Sequence, residues 1–252
     1  MGNLSGVGGA IDGECVDHHG DVFVTDQLYS RLDEFAHGRV GKITELQTHR
    51  VAPISCAIDP ATGNLAAVGF SDKVNVFKHA QGAPEVSTAQ KPYVLLFCSY
   101  DSHGNLFVVG ENEKRYMPIL LELPADGRKL IDIKLETAFA KKSELSGAQW
   151  DGKYLVVGAY KGYSNAKIHR FAIYGNRAKE ITPVVLSSPA DELFQFDVVG
   201  DVVVLPNVYL ASNLLRGNVL IYKYPAGGKP TQILTKHIGD APRGVVVSMK
   251  SQ

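Results

Sequence analysis

A chain of 252 residues that is 45% hydrophobic carries enough apolar side chains for a large core, so the sequence reads as a globular protein. Its 26 Lys and Arg balance its 26 Asp and Glu, and without a net basic field neither nucleic acid nor an anionic membrane surface is an expected partner. The strongest apolar run, Tyr93 to Cys98, is far shorter than the roughly 20 residues a membrane-crossing helix needs. The opening MGNLSGVGGA lacks the basic start and apolar stretch of an export signal, so the chain reads as cytoplasmic as given, or as a mature or truncated form of an exported protein.

In chain order, the first element is CVDHHGDVFVTD (15–26), which reads as a strand, a tight turn and a second strand. The same pattern returns at 57–69, 99–110, 149–158 and 195–206: an apolar residue, an Asp, a short turn with Gly, then a β-branched run. Asp17, Asp59, Asp101, Asp151 and Asp197 mark the register, and subtracting their numbers gives separations of 42, 42, 50 and 46. Third strands are expected at 31–37, 73–80, 118–127, 167–176 and 218–228. Fourth strands follow at 42–48, 129–136, 179–186 and 231–238, with a poor match around 85–90 in the second unit. No segment keeps a helical period. Four strands repeating every 40–50 residues predict an all-β, single-domain β-propeller with blades at about 13–54, 55–96, 97–146, 147–192 and 193–241. Residues 244–250 restart an innermost strand, either closing a five-bladed ring or beginning a partial sixth blade, and 3–10 would supply an outermost strand. An incomplete blade exposes strand edges, which would permit a homodimer.

The repeated Asp has a local role. Its carboxylate accepts backbone N–H groups two residues on, and the turn glycine supplies positive φ. Cys15, Cys56 and Cys98 fit no metal or redox spacing and read as buried free thiols. His18-His19 lies in a solvated turn, and the other histidines have no ligand spacing.

A propeller binds at the mouth of its channel, where the innermost strands begin and the loops after each second strand emerge. Five residues before each register Asp stand Asp12, Ile54, Leu96, Ser146 and Glu192, with Arg243 five before Ser248. Asp12 and Glu192 are close around a closed ring. Two converging carboxylates keep a proton, hold a cation, or pair with a base such as Arg243. An all-oxygen set of Asp12, Glu192 and Ser146 would suit calcium, with Glu14 as third ligand or general base. Asp26, Asn112, Tyr160, Asn207 and Tyr209, on loops after second strands, are the expected substrate rim.

These units resemble NHL/TolB-type β-propellers over almost the whole chain. Asp12-Gly13-Glu14-Cys15-Val16-Asp17 also resembles a strand of the senescence-marker-protein/gluconolactonase family, in which an acid or amide before a Gly binds a divalent cation, usually calcium, that polarises a lactone. That resemblance implies a calcium-dependent hydrolase of a small lactone or ester, with Glu14, Glu192 and Arg243 as catalytic candidates. Ser146-Gly147 replaces the family's Asn-Gly, and Ile54 and Leu96 cannot ligate. The other expectation is a non-catalytic propeller binding a protein, peptide or glycan on the same face.

Overall fold

The computed structural model describes residues 11–249 apart from 138–143, 161–166, 188–194, 212–213, 237 and 239–240. Five four-stranded units follow one another. They are Glu14–Val16, Val22–Asp26, Arg31–Phe35 and Lys42–Gln47 (β1–β4); Ser55–Ile58, Leu65–Val68, Lys73–Phe77 and Glu85–Thr88 (β5–β8); and Tyr93–Tyr100, Leu106–Asn112, Pro118–Leu123 and Ile131–Glu136 (β9–β12). The fourth is Glu144–Trp150, Leu155–Tyr160, Lys167–Tyr174 and Arg177–Val185 (β13–β16), and the fifth Asp197–Val199, Val202–Ala211, Leu214–Lys223 and Gly227–Leu234 (β17–β20). Within each unit every strand pairs antiparallel with the next, so each is a propeller blade. The outermost strands of blades three and four also pair in parallel, Lys134 opposite Arg177, which joins them into one eight-stranded sheet.

Continuous apolar runs such as LAAV in β6 and LFVVG in β10 bury side chains on both faces of a blade, and those faces pack on the neighbouring blades. Cys15, Phe23 and Leu32 meet Leu65 and Phe77 between blades one and two. Val74 meets Leu106 and Leu121 between two and three, Phe107 meets Leu155 and Phe171 between three and four, and Ile168 meets Phe196 and Tyr222 between four and five. Among the described residues no such cluster joins blade five to blade one.

Four of the five register aspartates act as expected. Asp17, Asp59, Asp101 and Asp151 accept the N–H of the residue two on, at 2.9, 3.0, 2.8 and 2.9 Å, and Gly20, Gly63, Gly104 and Gly152 have positive φ. Asp197 departs from the pattern. β-Branched Val198 and Val199 continue the strand, and Val199 opposes Val202 across a two-residue turn, so Asp197 has no loop N–H to hold.

Two further expectations are corrected. Cys15 and Cys56 form a disulfide with Cα atoms 5.6 Å apart, and only Cys98 is a buried free thiol. The pairing follows from adjacency, because β1 and β5 are neighbouring innermost strands. Residues 244–249 form no strand among the described residues; the Val247 N–H goes to the Asp197 carboxylate and the Ser248 hydroxyl to the Gly20 carbonyl. Residues 3–10 lie outside the described residues. Among those described, no helix is long and apolar enough to cross a membrane.

Candidate functional site

The five innermost strands surround a channel cavity of about 290 Å³, lined by Glu14, Cys56, Cys98, Gln149 and Gln195 from the five blades and by Val246. At its mouth, Gly13 exchanges hydrogen bonds with Thr25: its N–H reaches the hydroxyl at 2.9 Å, and its carbonyl accepts the Thr25 N–H at 2.9 Å. A side chain at Gly13 would run into the Ile54 carbonyl and Gln195 Oε1, which is why a glycine follows Asp12. Gln195 then clamps the next residue, accepting the Glu14 N–H at 3.1 Å and donating to the Glu14 carbonyl.

This backbone fixes the acids. Asp12 lies 3.8 Å from Arg243, and burial raises its carboxyl against the lowering effect of that guanidinium. Glu14 keeps part of its surface toward the channel, but Oε2 is sealed from solvent and accepts no hydrogen bond among the described residues. Burial, reinforced by the Asp12 charge, pushes its carboxyl up to about 7. Gly244 lies directly against that carboxylate.

Glu192 lies outside the described residues. Ser146 is buried, with its hydroxyl unpartnered among the described residues. Ser146 and Leu96 sit where the pairing of their strands shifts register, so counting back from the register Asp does not place their side chains as it places Asp12. Among the described residues no group of three or more His, Cys, Asp or Glu is placed to hold a metal ion. Asp12 faces the Arg243 guanidinium, so of the expected oxygen set it is the member that already has a cationic neighbour.

The expected rim is only partly at the surface. Asp26 is fully buried, pairs with Arg31 at 3.4 Å and accepts the Tyr29 N–H at 3.2 Å. Asn207 is fully buried and donates to Asn218 Oδ1 at 3.1 Å. Asp26 is the last residue of β2, paired with Arg31, whereas Asn207 sits inside β18, which runs on to Ala211; both use their polar groups inside the blade. Asn112 caps its own turn, accepting the N–H groups of Lys114 and Arg115 at 3.1 and 3.2 Å. Tyr209 is half-buried in β18, opposite Arg216, and the side chain of Tyr160 lies outside the described residues.

A different set of residues stands exposed on the mouth face. The loops joining second to third strands carry Leu28 and Tyr29 in blade one, Phe70 in blade two, and Tyr116 and Met117 in blade three, and Leu214 opens β19 in blade five, each 40 to 68% exposed. Phe70 and Tyr116 have φ of 34° and 51°, a region that bulky residues rarely occupy. Their neighbours hold them there. Gly69 packs against the Ala52 carbonyl, the Ser71 carbonyl accepts the Leu95 N–H at 2.8 Å, and the Tyr116 N–H reaches the Asn112 carbonyl at 2.8 Å. The guanidinium of Arg31 lies 5.0 Å over the Tyr29 ring. The sequence signal was one or two bulky apolar residues within a polar turn, as in DQLYSR, GFSD and ENEKRYMP.

No family model matches the chain, and no curated protein matches it. Among solved structures, the chain is similar to one described as a crystal structure of a nidogen/laminin complex, with a TM-score of 0.69 and 14% identity over 96% of this chain and 86% of that one. It is also similar to hydrazine synthase of Kuenenia stuttgartiensis, with a TM-score of 0.60 and 16% identity over 91% of this chain and 67% of that one. The fold is a β-propeller. At these identities the likeness speaks for the fold alone.

Proposed function

We propose that this propeller is a non-catalytic binding module that takes a protein partner on its mouth face. The observation that carries the reading is the recurrence of exposed large apolar residues at one topological position, the tip between second and third strands, in all three described loops of that kind, with exposed Leu214 at the start of β19 in blade five. Scattered exposed apolar residues need no explanation, whereas a repeated placement on one face marks a contact surface. Aromatic side chains pinned before binding are the residues that dominate protein interfaces, because little conformational entropy is lost when the partner arrives. The likeness to a structure of a complex between proteins supports the same class.

Purification of bound proteins from the source cells with the chain as bait, followed by binding of the purified component, tests the reading. A Phe70→Ser, Tyr116→Ser chain is the control. The reading predicts one component that binds the unsubstituted chain directly and is lost from the control; equal capture by both chains would contradict it.

A further inference from the structure

One position recurs in every blade near the end away from the mouth: the residue of the third strand that pairs with the second residue of the second strand. It is Glu34 in blade one, Val76 in blade two, Glu122 in blade three, Arg170 in blade four and Tyr222 in blade five. In blade four the guanidinium of Arg170 lies 3.7 Å from the register aspartate Asp151, 4.9 Å over the Tyr154 ring and 5.5 Å over the ring of Tyr224. Tyr224, from blade five, donates its hydroxyl to the same aspartate. Between blades four and five the chain therefore supplies its own cation, held by a carboxylate and aromatic rings.

The groove between blades three and four inverts that charge. Glu122 stands at the position of Arg170, near the register aspartate Asp101, and a cavity of about 430 Å³ is left between the blades. Ile131, Ile133 and Ile173 line it together with the stacked rings of Phe107 and Trp150, 5.9 Å apart, and among the described residues no Lys or Arg does. Asp101 is already engaged by the N–H groups of His103 and Asn105 and by the Asn105 amide. Glu122 makes no hydrogen bond or ion pair among the described residues, and burial, reinforced by the Asp101 charge, raises its carboxyl. The groove between blades one and two repeats Glu34 and Asp17 but opposes them with Thr62, Gly63 and His79 in place of Trp150 and Ile173.

We infer that the groove between blades three and four binds a small alkylguanidinium compound, with its cation on Glu122 beside the Trp150 ring and its alkyl part against the three isoleucines. The groove takes from outside the group that Arg170 supplies from within. A cation there relieves the repulsion between Glu122 and Asp101, and the isoleucines offer apolar area to bury. The cavity is of the size that small-molecule sites have, roughly 300–1,000 Å³. It lies at the opposite end of the blades from the protein surface proposed above and does not depend on it.

The test uses the full chain and butylguanidinium, with butylurea as the uncharged counterpart. Trp150 is the only tryptophan in the chain, so its fluorescence reports on the groove. Butylguanidinium should change that fluorescence saturably, with a Kd on the order of a millimolar or tighter, and butylurea should not. Glu122→Gln should weaken binding at least about tenfold. Glu122→Arg, which places a guanidinium in the groove from within, should abolish it, and Glu34→Gln should leave it unchanged. Circular dichroism checks the fold of each chain, and the nearly isosteric Glu122→Gln keeps the test decisive should Glu122→Arg fail to fold. No saturable response, an equal response to butylurea, full affinity in the Glu122→Gln chain, or an equal loss in the Glu34→Gln chain would overturn the inference.

Discussion

The loops at the two ends of the blades come from the same repeat but solve different problems. Away from the mouth, four turns between first and second strands are held by an aspartate and a positive-φ glycine, with polar residues such as His18, His19 and His103 exposed. At the mouth, the corresponding tips present Leu28, Tyr29, Phe70, Tyr116, Met117 and Leu214 to solvent, and two of the aromatics sit in a costly backbone conformation. A turn that only reverses the chain is well served by Asp and Gly. Exposed aromatics at positive φ add nothing to folding, and strain of about 1–3 kcal/mol per residue of this kind is characteristic of contact sites.

That contrast can be broken from either end. Its largest expected effect is on binding: Phe70→Ser with Tyr116→Ser should weaken the partner by more than about 3 kcal/mol, measured by titration calorimetry. The melting temperature should hardly move, since exposed substitutions change stability by about 0.5 kcal/mol or less. Next comes the bond that ties blades one and two together below the mouth. Cys56→Ser should cost about 2–4 kcal/mol in urea unfolding, because the disulfide closes a separation of 41 residues.

A third effect separates the channel from both faces. The Glu14 carboxyl titrates at about 7 in the fold against 4.5 as an ordinary glutamate, so the folded state binds more protons than the unfolded chain between those values. Stability from this group is complete below about pH 4.5 and is lost as pH rises to about 7, by roughly 2–3 kcal/mol. Glu14→Gln should flatten that slope in pH-dependent chemical denaturation; an unchanged slope would remove Glu14 as its source. The smallest effect lies at the far face. Asp101→Ala removes the acceptor for the His103 and Asn105 N–H groups at 2.8 and 2.9 Å and should cost about 1–2 kcal/mol without affecting binding.

The architecture was readable because the Asp–Gly turn repeats at blade length, and blade length alone implies neighbouring four-stranded sheets. Local exceptions were not. Val198-Val199 turned a turn aspartate into an anchor for Val247, a change that depends on strand length rather than on the shared Asp. Asp26 and Asn207 look like loop polar residues in sequence, yet Asp26 is enclosed at the end of β2 by its Arg31 partner, and the pairing of β18 with β19 runs past Asn207. The shifts at Leu96 and Ser146 moved two of the expected ring positions. Asp12 and Glu14 lie where counting back from Asp17 puts them, on an innermost strand without a bulge, and Arg243 faces Asp12 from a segment that forms no strand. What they do there could not be read from the counting, since it depends on Gly244 and Gln195 closing over the carboxylates.

The most direct test of the two-faced account is site-specific photo-crosslinking in the source cells, with a photoreactive phenylalanine placed at Phe70 in one chain and at His103 in another. The account predicts a discrete protein adduct from position 70 that disappears with Tyr116→Ser, and none from position 103. An adduct from position 103 with none from position 70 would place the contact on the wrong face and contradict it.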